Sequence, residues 1–381
     1  MRFKRGVAVA AIALTSVLSV VGCAKDSGSS NSPSGGDNAA GCKTVDKPAA
    51  ASGGASTTEA ATKADGSALK VGLAFDIGGR GDASFNDSAA AGLDKAIAEI
   101  GVKKENTKEL TATDQESEDA KLTRLRQLAQ EGHNPIVSVG FAYSDATAKI
   151  AAEFPNVQFA VVDGFVENAP KNVTFLGFAE HEGSFLVGVI AALKSKDCTI
   201  GFVGGVNVPL IQKFQAGFEQ GVETVAPDAK IVSKYITEAG DLTGFADPAK
   251  GQVAAKGLID RGADVVYHAA GASGKGVFAA AKEANVQAIG VDSDQYNQTV
   301  VAEYKDIIIT SMLKRVDVAV FDYISAVAAT DLGSLPQVFD LKVDGVGYST
   351  SGGKIDDETK SWVEAYKQQI IEGKIKVSDT P

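Results

Sequence analysis

The chain has 381 residues and carries 37 basic against 48 acidic side chains, a formal net charge of −11. That balance argues against nucleic acid or an anionic surface as a partner. Its 3 histidines, His133, His181 and His268, are not paired at helical spacing and have no cysteine beside them, so no metal-ligand pattern is present and no metal or cofactor is expected.

Residues 1–5 form a basic stretch, followed by an uncharged apolar run from Gly6 to Val21 that is short for a spanning helix. The run ends in "LSVVGC" (18–23), whose small residues before a cysteine resemble a bacterial lipobox. That resemblance implies a signal peptide over 1–22, cleavage before Cys23 and diacylglycerol on its sulfur; an ordinary secretion signal is the alternative. Residues 23–67 are dominated by Ser, Gly, Ala, Thr, Asp and Lys. Too little apolar surface is available there to offset ordering entropy, so the tract reads as a disordered tether. Cys42 lies in this polar tract. Cys198, in "CTIGFVGG", reads as a small buried hydrophobe, and a disulfide between the two is not expected.

From residue 69 the chain alternates apolar runs with helical periodicity. The runs are "LKVGLAF" (69–75), "PIVSVGF" (135–141), "VQFAVVD" (157–163), "NVTFLGF" (172–178), "TIGFVGG" (199–205), "AKIVSKYI" (229–236), "ADVVYHAAG" (263–271), "VQAIGVD" (286–292) and "DIIITSM" (306–312). Stretches such as "DAKLTRLRQLAQEG" and "LIQKFQAGFEQGVETV" lie between them, with apolar residues recurring every three or four positions. Strands buried on both faces that alternate with helices make a parallel α/β sheet. The length exceeds what one such sheet needs, so two lobes are expected. Each opens with a glycine-rich turn after a strand, "DIGGRGDASFND" and "GGVNVPLIQKF". Ligands of open α/β sheets sit beyond the carboxyl ends of the strands, so two facing sheets would make a cleft.

The strand ends carry polar groups. Asp76, Asp163 and Asp292 each close an apolar run, and Gly271 and Ser273 follow "VVYHAA". A charge there is costly without partners. Such carboxylates can accept hydrogen bonds from sugar hydroxyls or a base N–H; any one of them alone reads more readily as a cap or turn residue, and three at the same edge of the sheets shift the reading toward a ligand. In "SFND", Ser84 reads as an N-cap with Asp87 as its reciprocal partner. Phe85 and Asn86 would then begin the helix beside the cleft, offering a stacking ring and a planar donor and acceptor. "GASGKG" (271–276) has the wrong spacing for a phosphate loop, and "RGD" (80–82) reads as chance. No G-x-S-x-G occurs.

Taken together, "VGLAFDIGGRGDASFNDSAAAGL", "FAVVDG", "FLGFAEHEGSFLVGVIAAL", "IGFVGGVNVPLIQKFQAGFEQGV", "FADPAKG", "AGASGKGVFAAAKE" and "IGVDSDQ" resemble the basic-membrane-protein lipoproteins, in order from about 69 to 320. These are substrate-binding proteins of ABC transporters, and they include purine nucleoside receptors. The resemblance implies a two-lobed type I periplasmic-binding fold with a nucleoside in the cleft. Residues 69–180 and part of 312–345 would form one lobe; 181–311 and part of 341–381 would form the other. It further implies a monomer, lipid-anchored on the outer face of the cell membrane, that serves an ABC permease. Carried over by position, Phe85 would stack on the base, with Asn86 and Asp292 bonding its edges. Asp76, Asp163 and Lys314 would hold the ribose. Phe245 would supply a second ring, with Phe214 as the alternative, and Gly271 would bring backbone near the sugar. A receptor for a sugar or another small polar ligand is the competing reading. A nucleoside-processing enzyme is a further one, and "DIGGRGD" lacks the dense aspartate run with metal-ligand spacing that such an enzyme would show.

Overall fold

The computed structural model describes residues 41–49 and 64–381. The signal peptide, Cys23 and the rest of the tether expected from the sequence lie outside the described residues.

The first lobe is built from β1 (Val71–Phe75), α1 (Phe85–Glu99), β2 (Thr107–Thr111), α2 (Glu118–Gln130), β3 (Ile136–Val139), α3 (Ser144–Glu153), β4 (Phe159–Val162) and β5 (Val173–Leu176). Its sheet has the order β2-β1-β3-β4-β5 and is parallel throughout. β1, β3 and β4 are wholly buried, as their unbroken apolar runs require. The second lobe begins with α4 (Glu180–Lys194), β6 (Thr199–Asn207), α5 (Pro209–Val225), β7 (Lys230–Glu238) and α6 (Pro248–Ile259). It continues through β8 (Val265–Ala269), α7 (Gly274–Ala284), β9 (Gln287–Asp292) and β10 (Ile308–Lys314). The chain then forms α8 (Val316–Ala329), which packs on α1 of the first lobe, before returning for β11 (Val346–Tyr348) and α9 (Asp357–Ile371). The second sheet runs β11-β10-β9-β8-β6-β7; only the β10–β11 pair is antiparallel.

The chain thus passes between lobes after β5, after β10 and before β11, and these passages lie side by side. Phe339 N donates to Gly177 O at 2.9 Å, Ala179 N to Phe339 O at 3.1 Å, and Arg315 N to Gly345 O at 2.9 Å. The Phe178 and Phe339 rings stack at 5.2 Å. In the second lobe, glycines bring α4 and α5 together: a Cβ on Gly217 would stand 2.0 Å from His181 O, and one on Gly221 2.2 Å from Phe185 O.

Three expectations are corrected. Cys42 and Cys198 form a disulfide with their α-carbons 4.8 Å apart. Cys198 is only half-buried, in the turn before β6 with φ +54°, and its sulfur is bonded to Cys42 rather than packed as a small hydrophobe in the apolar run. Residues 41–49 of the supposed tether are held against the second lobe by this bond and by Val45 N donating to Val225 O at 2.9 Å. The ordered body also starts earlier than 69, with Gly66 N donating to Ile100 O at 2.7 Å.

Candidate functional site

A cleft opens between the carboxyl edges of the two sheets. All eight residues singled out by the sequence line it: Asp76, Phe85, Asn86 and Asp163 from the first lobe, Phe245, Gly271, Asp292 and Lys314 from the second. Phe214 lines it as well, so both candidates for the second ring face the same space. Asp82 and Phe141 complete the polar and aromatic wall; neither was singled out as a site residue, because Asp82 hid within "RGD" and Phe141 ends a run that reads as core.

The loop after β1 departs from the expected capping. Ser84 makes no side-chain cap bond to α1. Asp82 does the capping, accepting from the N–H groups of Ser84 (2.9 Å), Asn86 (2.8 Å) and Asp87 (3.1 Å). Asp87 instead fastens the loop by accepting from Gly81 N and Ala83 N. Ser84 is thereby free to reach across the cleft, where its Oγ donates to Asp292 Oδ2 at 2.5 Å. Ser293 Oγ donates back to Ser84 O (2.9 Å) and Gln295 Nε2 to Ala83 O (3.0 Å). The Ala83 methyl is buried among Phe278, Ala288 and Ile308 of the second lobe. The two lobes are therefore closed on each other along this loop.

Asp163 and Asp292 occupy matching places, each at the end of its strand and each at φ +63°. At that left-handed conformation the backbone turns sharply and the carboxylate faces the cleft rather than the next helix, an arrangement Asp tolerates better than most residues. Burial raises the pKa of Asp292 to about 7, of Asp163 to about 6, and of Asp76 and Asp82 to about 6. Gly140, at φ +110°, leaves room for Asp76: a Cβ there would stand 2.5 Å from its Oδ2.

Lys314 supplies the cation of the cleft wall. It is buried, with its ammonium 2.6 Å from Asp163 Oδ2 and 3.1 Å from Glu180 Oε1. The rings of Phe85, Phe178 and Phe214 surround it at 5.0–5.4 Å. Burial opposes its charge, but the nearby carboxylates of Asp163, Glu180 and Asp292 outweigh that and raise its pKa. Asn86 Nδ2 donates to Ile77 O and Asp82 Oδ2. Two buried acceptors, Asn86 Oδ1 and Asp163 Oδ1, have no partner among the described residues. A ligand that completes this site must bring hydrogen-bond donors to them.

Phe245 packs closely against glycine backbone, since a Cβ on Gly205 would stand 2.4 Å from its ring. Gly271, at φ +52°, passes close to Phe245 O. His268 points away from the cleft into the layer under α7, edge-on to Phe278 at 4.9 Å, and burial lowers its pKa to about 4.

A family model described as "ABC transporter substrate-binding protein PnrA-like" matches residues 69–380. The "CD4+ T-cell-stimulating antigen" of Listeria monocytogenes is 36% identical over 82% of this chain and 88% of its own. The "ABC transporter nucleoside-binding protein BmpA" of Lactococcus lactis is 33% identical over 98% of this chain and 99% of its own. Among solved structures, an ABC transporter solute-binding protein from Aeropyrum pernix superimposes with a TM-score of 0.66 at 29% identity, covering 82% of this chain and 94% of that one.

Proposed function

The chain belongs to the PnrA-like family of ABC transporter substrate-binding proteins, and from that premise we propose that its cleft captures a purine nucleoside and delivers it to a membrane permease. The unpartnered buried acceptors Asn86 Oδ1 and Asp163 Oδ1, set among aromatic rings and further carboxylates, carry this reading. The base would stack on Phe85 and offer its N–H groups to Asn86 and Asp292. The ribose hydroxyls would go to Asp76, Asp163 and Lys314, with Phe245 or Phe214 on the opposite ring face. Each acceptor left empty by a wrong ligand costs about 1–3 kcal/mol, which is the source of selectivity. Because these groups come from both lobes, a nucleoside contacts the closed form more completely than the open one and shifts the equilibrium toward it.

The lipobox at 18–23 supports anchoring at Cys23 on the outer face of the membrane, where a permease would be met. The protein acts as a monomer in this reading and leaves its ligand chemically unchanged. Titration calorimetry with inosine, guanosine, adenosine and free ribose tests the proposal: purine nucleosides bind and ribose alone binds far more weakly. Tight ribose binding without nucleoside binding would point to a sugar receptor, and release of free base would point to an enzyme.

A further inference from the structure

We propose that Glu180 is a positioning residue for the cleft: it shares the Lys314 ammonium with Asp163 and so keeps one Asp163 oxygen free for a ligand hydroxyl. Glu180 lies outside the cleft wall, at the first position of α4, and is 1% exposed. Its Oε1 lies 3.1 Å from the Lys314 ammonium, on which Asp163 Oδ2 also bears at 2.6 Å. Its Oε2 lies 3.7 Å from the half-exposed Lys213 ammonium of α5. The groups form a chain of alternating charge, Lys213, Glu180, Lys314 and Asp163, that runs from the surface through the passage between lobes to the cleft.

The geometry gives the chain a purpose. An ammonium has three donors. Shared between two acids, Lys314 engages a single Asp163 oxygen, and Asp163 Oδ1 stays unpartnered among the described residues. With Glu180 removed, Asp163 is the one anion left within 4 Å of the ammonium among the described residues, Asp292 standing farther off, and the ammonium would fold onto both Asp163 oxygens and compete with a ligand. The groups facing Asp163 are Lys314 of β10, Glu180 of α4, Lys213 of α5 and Asp292 of β9. Glu180 raises the Asp163 pKa and Lys314 lowers it, so loss of Glu180 moves Asp163 downward on both counts.

The inference rests on the cleft being the ligand site, and its test is divided accordingly. Carboxyl-carbon NMR of the ligand-free protein follows the Asp163 titration in wild type and Glu180→Gln. The midpoint is expected to fall by at least about half a pH unit, as expected for a carboxylate that loses a neighbouring anion and gains a larger share of a cation. Calorimetry on the same pair is expected to show at least about tenfold weaker nucleoside binding, the ~1.4 kcal/mol of one compromised hydrogen bond. Should Glu180→Gln fail to fold, Glu180→Asp keeps the charge but withdraws it by one methylene, and both readouts should move the same way by less. An unmoved Asp163 midpoint, or a moved midpoint with unchanged affinity, overturns the inference. A wild-type protein that binds no nucleoside instead overturns the ligand reading, and the NMR result then decides the role of Glu180 alone.

Discussion

The Lys314 ammonium stands 2.6 Å from the Asp163 carboxylate, joining the last residue of β10 in one lobe to the turn after β4 in the other. Both side chains are buried at the cleft. Ser84 and Asp292 make a second tie across the same space, so the acids proposed to hold ligand also hold the lobes together. Under that proposal ligand recognition and closure share atoms.

Phe85 is half-buried on the cleft wall and packs on the margin of the core rather than within it. Phe85→Ala should weaken nucleoside binding by about 1–3 kcal/mol, the usual worth of a base–aromatic stack. The melting temperature of the ligand-free protein should change little. Calorimetry beside a thermal melt separates the two effects; a large loss of stability with unchanged affinity would make Phe85 a core residue.

Asp292 gives a pH signature. Its folded pKa of about 7 exceeds the unfolded value of roughly 3.9. Between these values the folded protein keeps a proton that the unfolded chain has lost. Its contribution to stability therefore falls as pH rises through that window and levels off above it. Asp292→Asn should raise the melting temperature of the ligand-free protein by at least about 2 °C near pH 8 and leave it nearly unchanged near pH 4. Scanning calorimetry at the two pH values checks this.

The same elevation affects binding. If Asp292, Asp163 and Asp76 accept ligand hydrogen bonds as carboxylates, nucleoside binding near pH 6 must release protons. The measured binding enthalpy should then vary with the ionisation enthalpy of the buffer near pH 6 and cease to vary near pH 8.5, above all of these midpoints. Buffer-independent enthalpy at both pH values would mean that the acids do not change protonation on binding.

The Cys42–Cys198 bond joins residues 156 apart in sequence. Chain-entropy reasoning for so long a loop, discounted for residual structure in the unfolded state, gives about 2–4 kcal/mol. The Cys42→Ser, Cys198→Ser double variant should melt several degrees lower with nucleoside affinity intact, since neither residue lines the cleft. Intact-mass measurement before and after reduction confirms the bond itself.

The architecture was legible because most strands are unbroken apolar runs. β2, "TKELT", and β11, of three residues, were not, because a half-exposed edge strand and a very short one have no such run. Strand ends named Asp76, Asp163, Asp292 and Gly271, since a carboxylate after a buried strand has few places to go, whereas Lys314, Phe245 and Phe214 were named only through the family resemblance. Asp82 took the capping role read for Ser84 because capping depends on which oxygen reaches the helix N–H groups, and spacing alone does not show that. Glu180 was silent for a related reason: its partner Lys314 lies 134 positions later. Cys42 was misread because a polar composition says nothing about a covalent tie.

The most direct test of the central claim is a crystal structure of the protein with a bound purine nucleoside. The base should stack on Phe85 with its edge on Asp292, and the ribose should lie on Asp163 and Lys314 in a cleft closed by the Ser84–Asp292 contact. A nucleoside bound outside this cleft, or a cleft filled by a ligand with no base against Phe85, would contradict the account.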